Sequence, residues 1–174
     1  ATHPHANMEI LTCVLSGTIE HKDSLGHAEQ IPAGDFQLMS AGSGIRHSEY
    51  NPSQTEPLSL LQIWIEPNEV GTTPGYQQKK IATQPGLTLV ASPDGEEGSF
   101  RIRQQARIWR LQLAAGETLE WALQGRHGYL HMISGELTGN GLAARPGDGL
   151  LSRDEAFWTL TASEGSEALL FDLP

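Results

Sequence analysis

Two pairs of potential metal ligands stand out in this chain of 174 residues: His3 with His5, and His47 with Glu49. Within each pair the residues are two apart, and such residues on a β-strand point to the same face of the sheet. If both pairs lie on strands, each directs two ligands at one point. Three imidazoles and one carboxylate suit a divalent transition metal such as Fe(II), Mn, Ni, Cu or Zn.

The composition argues against nucleic acid and membranes as partners. A formal net charge of −10 disfavours contact with a phosphate backbone and with an anionic membrane surface. No apolar run approaches the roughly 20 residues that a membrane span needs. The single cysteine, Cys13, excludes an internal disulfide, and its strand-like neighbours favour a buried thiol. We expect a cytoplasmic protein with one large domain or two small ones.

Short apolar runs, separated by scattered glycines and prolines, predict an all-β fold. The predicted strands are residues 8–15, 17–21, 35–40, 45–50, 58–65, 87–91, 107–113, 129–133, 149–151, 157–162 and 168–172. The segment 67–84 lacks a strong apolar pattern, so we interpret it as a connection between two halves. Within it we predict a short helix around residues 77–81.

The two halves share two sequence features. An apolar strand ends in Ser-Gly at residues 16–17 and again at 134–135, and a Pro/Gly-Asp corner follows at residues 32–35 and 145–148. Glycines at such corners can adopt the positive φ that a sharp turn of a β-structure requires. The pattern predicts a duplicated β-barrel or sandwich.

The duplication offers an internal test of the metal hypothesis. Aligning the Ser-Gly motifs and the Gly-Asp corners gives the counterparts of His3, His5, His47 and Glu49, which are Trp121, Leu123, Leu160 and Ala162. None of these four can bind a hard metal, so all the candidate ligands are absent from the second half together. We therefore predict a metal-bearing first half and a structural second half.

Two segments carry a resemblance to a known family. Residues 2–9 read T-H-P-H-A-N-M-E, and residues 39–49 read M-S-A-G-S-G-I-R-H-S-E. Both resemble the ligand segments of the pirin family, and the likeness extends through Q-I-W-I at 62–65 to the final F-D-L-P, as in the bacterial pirin-like quercetinases. Pirins carry several tens of residues before the H-P-H strand, so we expect this chain to lack the usual N-terminal segment.

The resemblance implies an all-β bicupin, with two tandem double-stranded β-helix (jelly-roll) barrels. It implies an N-terminal metal-bearing cupin at residues 1–66, incomplete at its start, a connecting segment at 67–84, and a C-terminal cupin without ligands at 85–174. By position in the pirin motifs, the ligands are His3, His5, His47 and Glu49. We expect one divalent ion, Fe(II) first, with Mn, Ni, Cu, Zn and Co as alternatives.

Five further residues are expected near the site. Glu9 follows the first ligand pair in the pirin pattern as a carboxylate that supports the ligands or the fold, with direct ligation as the alternative. From strand alternation we expect the pocket to be walled by four apolar residues: Met8, Ile45, Leu60 and Trp64.

The resemblance also implies an activity, quercetin 2,3-dioxygenase. A metal with open positions would stabilise a deprotonated flavonol as a Lewis acid, and O2 would open the ring with loss of carbon monoxide. Glu49 would be the catalytic residue that accepts the flavonol proton. Two alternatives remain: a non-catalytic, metal-dependent regulatory module that binds a protein partner, and a cupin scaffold with a residual site.

The remaining charged and imidazole groups suggest no second site. His21 and His27 flank a polar turn, so we expect both to be solvated. His127 and His131 share a strand face but lack a third ligand. Arg101, Arg103, Arg107 and Arg110 predict a solvated stripe, with contact to a partner as the alternative.

Overall fold

Eighteen β-strands and one short 3-10 turn, Glu96–Gly98, make up the regular structure of residues 1–82 and 84–174, which this computed structural model describes. The all-β class predicted from the sequence is confirmed. The strands fall into two compact units. The first comprises Ala1–Ile81 and Ile102–Gln104, and the second comprises Ala82–Arg101 and Gln105–Pro174.

The first unit consists of two antiparallel four-stranded sheets, with strand orders β1-β6-β3-β4 and β7-β2-β5-β8. Their bounds are β1 His3–His5, β2 Glu9–Ser16, β3 Thr18–Asp23, β4 Ala28–Pro32, β5 Asp35–Ser40, β6 Ile45–Tyr50, β7 Ser59–Ile65 and β8 Gly75–Lys80. Apolar side chains from both sheets pack together. One such cluster joins Val14 of β2 to Ile19 of β3 and Ile31 of β4.

The second unit has a six-stranded sheet of order β10-β9-β11-β18-β13-β16 and a four-stranded sheet of order β12-β17-β14-β15. The bounds are β9 Gly86–Ser92, β10 Phe100–Arg101, β11 Arg107–Leu113, β12 Thr118–Ala122, β13 His127–Ser134, β14 Leu137–Gly139, β15 Leu142–Ala144, β16 Gly149–Arg153, β17 Phe157–Ala162 and β18 Ser166–Leu173. Its core contains leucines from both sheets together with Trp121 and Trp158.

The Ser-Gly corners explain why glycine recurs at equivalent places in the two units. Gly17 and Gly135 have φ values of +75° and +77°, a conformation that strains residues with a Cβ. A Cβ would also lie 2.6 Å from the Pro57 carbonyl oxygen at Gly17, and 2.3 Å from the Gly165 carbonyl oxygen at Gly135. Both the backbone conformation and the space therefore require glycine at these corners.

The predicted helix at residues 77–81 is wrong. Gly75–Lys80 forms strand β8, which pairs with β5 in a register that places Met39 opposite Tyr76. Polar residues fill this edge strand, so it lacks the apolar alternation by which a strand is recognised. The same reason accounts for the short strand β4, Ala28–Pro32, which is absent from the predicted strands.

Within residues 1–82 and 84–174, no helix is long and apolar enough to cross a membrane.

Candidate metal centre

Strands β1 and β6 bring three histidines together. Their register places His3 opposite His47 and His5 opposite Ile45. The ring centroids are 4.5 Å apart for His3 and His47, 4.8 Å for His3 and His5, and 5.0 Å for His5 and His47. Their ligand atoms lie within 4.8 Å of one another. The first pair of the sequence pattern and His47 of the second pair therefore lie together.

Two nitrogen atoms of this cluster have the separation expected of adjacent metal ligands. The Nε2 atoms of His3 and His47 are 3.0 Å apart, close to the spacing of adjacent ligands around an ion with bonds of about 2.1 Å. His3 Nδ1 lies 3.0 Å from the Ala1 carbonyl oxygen, which can only accept, so Nε2 presents a lone pair. His47 Nδ1 is buried and has no hydrogen-bond partner among the described residues. The histidines fit a divalent transition metal.

Glu49 lies two residues beyond His47 on β6, on the same face. Together with His21 and His47 it forms a second group whose ligand atoms lie within 4.8 Å of one another. Its Oε1 accepts a hydrogen bond from the amide of Gln37, and its Oε2 accepts one of 2.8 Å from the amide of Gln62. Both carboxylate oxygens are therefore fixed by neutral donors.

The electrostatic environment favours the neutral imidazoles of His5 and His47 and the ionised carboxylate of Glu49. Burial is the main reason why the pKa of His47 falls to about 4, and the charge of His3 adds to it. Burial, then the charge of His3, also lowers the pKa of His5. Burial alone would raise the pKa of Glu49, but contacts with His21, His47 and Gln62 outweigh it and lower that pKa. These are the protonation states that bind a metal.

His21 is the main residue that the sequence reasoning missed. The expectation of a solvated side chain is wrong, because His21 is fully buried. Its ring stacks on Tyr76 with a centroid separation of 4.6 Å, its Nε2 lies 3.2 Å from an Asp23 oxygen, and its Nδ1 lies 3.9 Å from Glu49 Oε1. The available signal was strand alternation, because buried Ile19 lies two residues earlier on β3.

His27 stands beside this group and is half-exposed. Its Nδ1 lies 2.8 Å from the Asp23 oxygen that also contacts His21, and its ring stacks on Tyr76. Asp23 therefore bridges a buried and a half-exposed histidine.

Glu9 lies in a different environment. It is buried, accepts a 2.8 Å hydrogen bond from the Ser40 hydroxyl, and pairs with Arg103 at 3.3 Å. It belongs to neither group of potential ligands. Arg103, which we expected on a solvated stripe, thus has a buried carboxylate as its partner.

The four expected pocket residues lie in three places. Met8 and Ile45 pack with Ile10 and Met39, while Leu60 packs with the separate cluster around Val14. Trp64 is 55% exposed, and its ring centroid is 5.1 Å from that of His5. Beside β1 there is an open hollow of about 410 Å³, and its lining includes His5, Ile45 and Arg46.

The second unit carries an apolar counterpart of this centre. Trp121 pairs with Trp158 as His3 pairs with His47, and the two indole rings meet edge to face at 6.0 Å. Gly139 pairs with Leu160 as His21 pairs with Glu49. The place of the histidines and the carboxylate is thus filled by hydrophobic core.

The sequence alignment that matched His47 to Leu160 and Glu49 to Ala162 is corrected by these registers. The counterparts are Trp158 and Leu160. The shift arises after β5 and β16, which both end six residues beyond the glycine of the Gly-Asp corner. The connection between β5 and β6 spans residues 41–44, whereas that between β16 and β17 spans only 154–156, and β17 begins at the counterpart of Arg46, one residue later than β6 does. The conclusion that the second unit lacks the ligands is unaffected.

Comparisons with known proteins match both units. A family model described as Pirin matches residues 1–65, and one described as Quercetinase C-terminal cupin domain matches residues 89–173. A protein of Escherichia coli (strain K12) named quercetin 2,3-dioxygenase is 49% identical over 174 residues, which cover 99% of this chain and 75% of that protein. A pirin-like protein of Caulobacter vibrioides is 42% identical over 175 residues, with 98% and 75% covered.

Solved structures give the same result. The crystal structure of YhhW from Escherichia coli superposes with a TM-score of 0.98 at 48% identity, covering 100% of this chain and 75% of that one. The structure of bacterial pirin YhhW in complex with nickel(II) gives 0.96 at 50% identity, covering 100% and 76%. The fold is that of the bicupins, and the chain belongs to the pirin family.

Proposed function

We propose that this protein is an oxidoreductase that uses one divalent metal and O2 to open the ring of a flavonol, with loss of carbon monoxide. The observation that carries the proposal is the convergence of His3, His5 and His47 beside the Glu49 carboxylate. The similarity to a protein named quercetin 2,3-dioxygenase supports the substrate class.

We assign the metal to His3, His5, His47 and Glu49, with Fe(II) as the first candidate. The nickel(II) complex of a similar protein supports a divalent transition metal. When bound, the ion would act as a Lewis acid that favours the deprotonated flavonol. The chain supplies neutral imidazole lone pairs, because burial lowers the pKa of His5 and His47.

Glu49 is the proposed proton acceptor. Its lowered pKa keeps it ionised at neutral pH, and a carboxylate oxygen within hydrogen-bond reach of the flavonol hydroxyl can take its proton. The amides of Gln37 and Gln62 remain on its two oxygens and fix its orientation.

The surroundings of the histidines suit a flat aromatic ligand. The half-exposed indole of Trp64 lies beside His5, and the hollow next to β1 reaches the same histidine. Aromatic side chains bind such rings through stacked or edge-to-face contacts.

The test begins with metal-free protein, reloaded under anaerobic conditions with Fe(II) and, in parallel, with Mn, Co, Ni, Cu or Zn. We expect one ion per chain by elemental analysis, followed by equimolar loss of quercetin and O2 once air is admitted. His47→Ala should lose the metal and the activity, while His131→Ala, a histidine of the second unit, should retain both.

Two results would contradict the proposal. Metal-loaded protein that leaves flavonols unchanged would exclude the enzyme and favour a metal-dependent binding module. Unchanged metal content in His47→Ala would exclude the assigned site.

A further inference from the structure

The Glu49 carboxylate is held by two glutamines, and each glutamine is itself held by an aromatic donor. Gln37 donates to Glu49 Oε1 while its own Oε1 accepts a 3.1 Å bond from the Tyr76 hydroxyl. Gln62 donates to Glu49 Oε2 at 2.8 Å while its Oε1 accepts a 3.0 Å bond from the Trp64 indole. The carboxylate thus receives one amide donor on each oxygen.

These contacts determine which way each amide faces. The indole N–H of Trp64 can only donate, so the oxygen of Gln62 must face it and the NH2 group must face Glu49. An ionised carboxylate can only accept, so Gln37 likewise directs its NH2 group at Glu49. Reversing Gln62 would break both of its bonds, and reversing Gln37 would turn its oxygen towards the carboxylate and break its bond to Glu49.

A comparison within the chain shows that the fold does not need these amides. In the first unit Gln62, Thr12 and Gln37 lie side by side on β7, β2 and β5. The corresponding row on β18, β13 and β16 of the second unit is Leu170, Leu130 and Leu150. The same sheet is therefore built with leucine where no carboxylate has to be held.

We propose that Gln37 and Gln62 are positioning residues for Glu49, which fix the rotation of its carboxylate and so the edge that it presents to the metal. The inference rests on the proposed metal site. With an amide on each oxygen, rotation about the last side-chain bond of Glu49 would break at least one hydrogen bond.

The two glutamines hold Glu49 with different rigidity. Gln37 is 1% exposed and is also within 3.3 Å of the Thr12 hydroxyl, so it has little freedom to move. Gln62 is exposed and depends on Trp64, which is itself 55% exposed. An aromatic ligand that covers Trp64 would therefore act on Glu49 through Gln62.

The experiment uses Co(II), whose visible absorption reports its ligand geometry. The variants are Gln37→Leu and Gln62→Leu, which install the residue of the second unit, and Gln62→Glu, which keeps the shape but removes the donor. Trp64→Phe keeps an aromatic ring and removes the bond to Gln62. The matched control is Gln30→Leu, because Gln30 donates a 3.2 Å bond to the carboxylate of Glu20, which lies in neither group of potential ligands.

We expect the Co(II) bands to shift in all four variants and the affinity to weaken about 10- to 100-fold in Gln37→Leu and Gln62→Leu. Gln62→Glu should be affected at least as strongly, and Gln30→Leu should match the unaltered protein. If Gln37→Leu does not fold, the exposed position of Gln62 still provides the test. Unchanged bands and affinity in Gln62→Leu and Gln62→Glu would overturn the inference.

The design separates this inference from the proposed function. If Co(II) binds and responds to the variants but no flavonol is consumed, the positioning role stands and the enzyme proposal fails. If the unaltered protein binds no Co(II), the proposed metal site is contradicted. Crystal structures of the metal-free variants then test the positioning role on its own. A Glu49 carboxylate that keeps its orientation without either amide would overturn the positioning role.

Discussion

His47 and Trp158 occupy the same position in two equivalent sheets, β1-β6-β3-β4 of the first unit and β12-β17-β14-β15 of the second. Each is the cross-strand partner of a residue the same distance before the Ser-Gly corner, His3 in one unit and Trp121 in the other. One scaffold thus carries an imidazole cluster in the first unit and a packed indole pair in the second. The second unit therefore shows which side chains the same scaffold carries at these positions when the candidate ligands are absent.

His21 should matter for metal binding although it lies outside the assigned ligands. We expect His21→Ala to weaken metal affinity about 10- to 100-fold, because it removes the contact that Glu49 makes from the β3 side. Isothermal titration with Ni(II) measures this. His27→Ala is the control, since His27 contacts Asp23 but stands farther from Glu49. Equal affinities in both variants would contradict a role for His21.

Glu9 should be dispensable for the metal. Because it is bonded to Ser40 and Arg103, we expect Glu9→Gln to retain one ion per chain by elemental analysis. Arg103→Met should instead lower the free energy of unfolding by about 1–3 kcal/mol, because a buried carboxylate loses a charged partner. Metal loss in Glu9→Gln would reinstate direct ligation by this carboxylate.

The glycine of the first Ser-Gly corner should tolerate no side chain. Gly17→Ala meets both a positive φ and the Pro57 carbonyl oxygen, whereas Gly26 also has a positive φ, +99°, but no atom within 4 Å of an added Cβ. We expect Gly17→Ala to lower the unfolding free energy by about 1–3 kcal/mol more than Gly26→Ala. Urea unfolding of the two variants measures the difference, and equal midpoints would refute the steric argument.

The pH dependence of Glu20 follows from its partners. Lys22 chiefly, then the Tyr50 hydroxyl and Gln30, lower the pKa of Glu20 to about 2. A carboxyl with a lowered folded-state pKa stabilises the fold fully above its ordinary pKa of 4.5 and loses that contribution as the pH falls towards 2. Carboxyl NMR titration should find this midpoint, and Lys22→Met should raise it. A midpoint near 4.5 in the unaltered protein would exclude the ion pair in solution.

The sequence was a better guide to the candidate ligands than to the residues around them. Spacing of two residues sufficed for His47 and Glu49, because alternation along a strand is a local property. His21 was missed because its burial depends on β3 pairing with β6, and that pairing is set by residues far apart in the chain. The same applies to Gln37 and Gln62, which reach Glu49 from the opposite sheet.

The all-β class and the duplication of the fold could be predicted from the sequence, but the edge strands of the sheets could not. The polar strand β8 has no apolar period, and its pairing with β5 supplies the hydrogen bonds that a helix would otherwise make internally. The shorter connection between β16 and β17 misplaced two counterparts, since a single sequence does not show where residues are missing. The domain bounds at 66–67 and 84–85 stay a prediction.

The indole of Trp64 gives the candidate centre an optical reporter of its own. The other tryptophans, Trp109, Trp121 and Trp158, belong to the second unit, whereas Trp64 meets the ring of His5 at 5.1 Å. A paramagnetic ion held by His5 would quench the fluorescence of this indole, through short-range energy transfer or through electron transfer. Occupancy of the centre can therefore be followed by intrinsic fluorescence, without any label and before turnover begins.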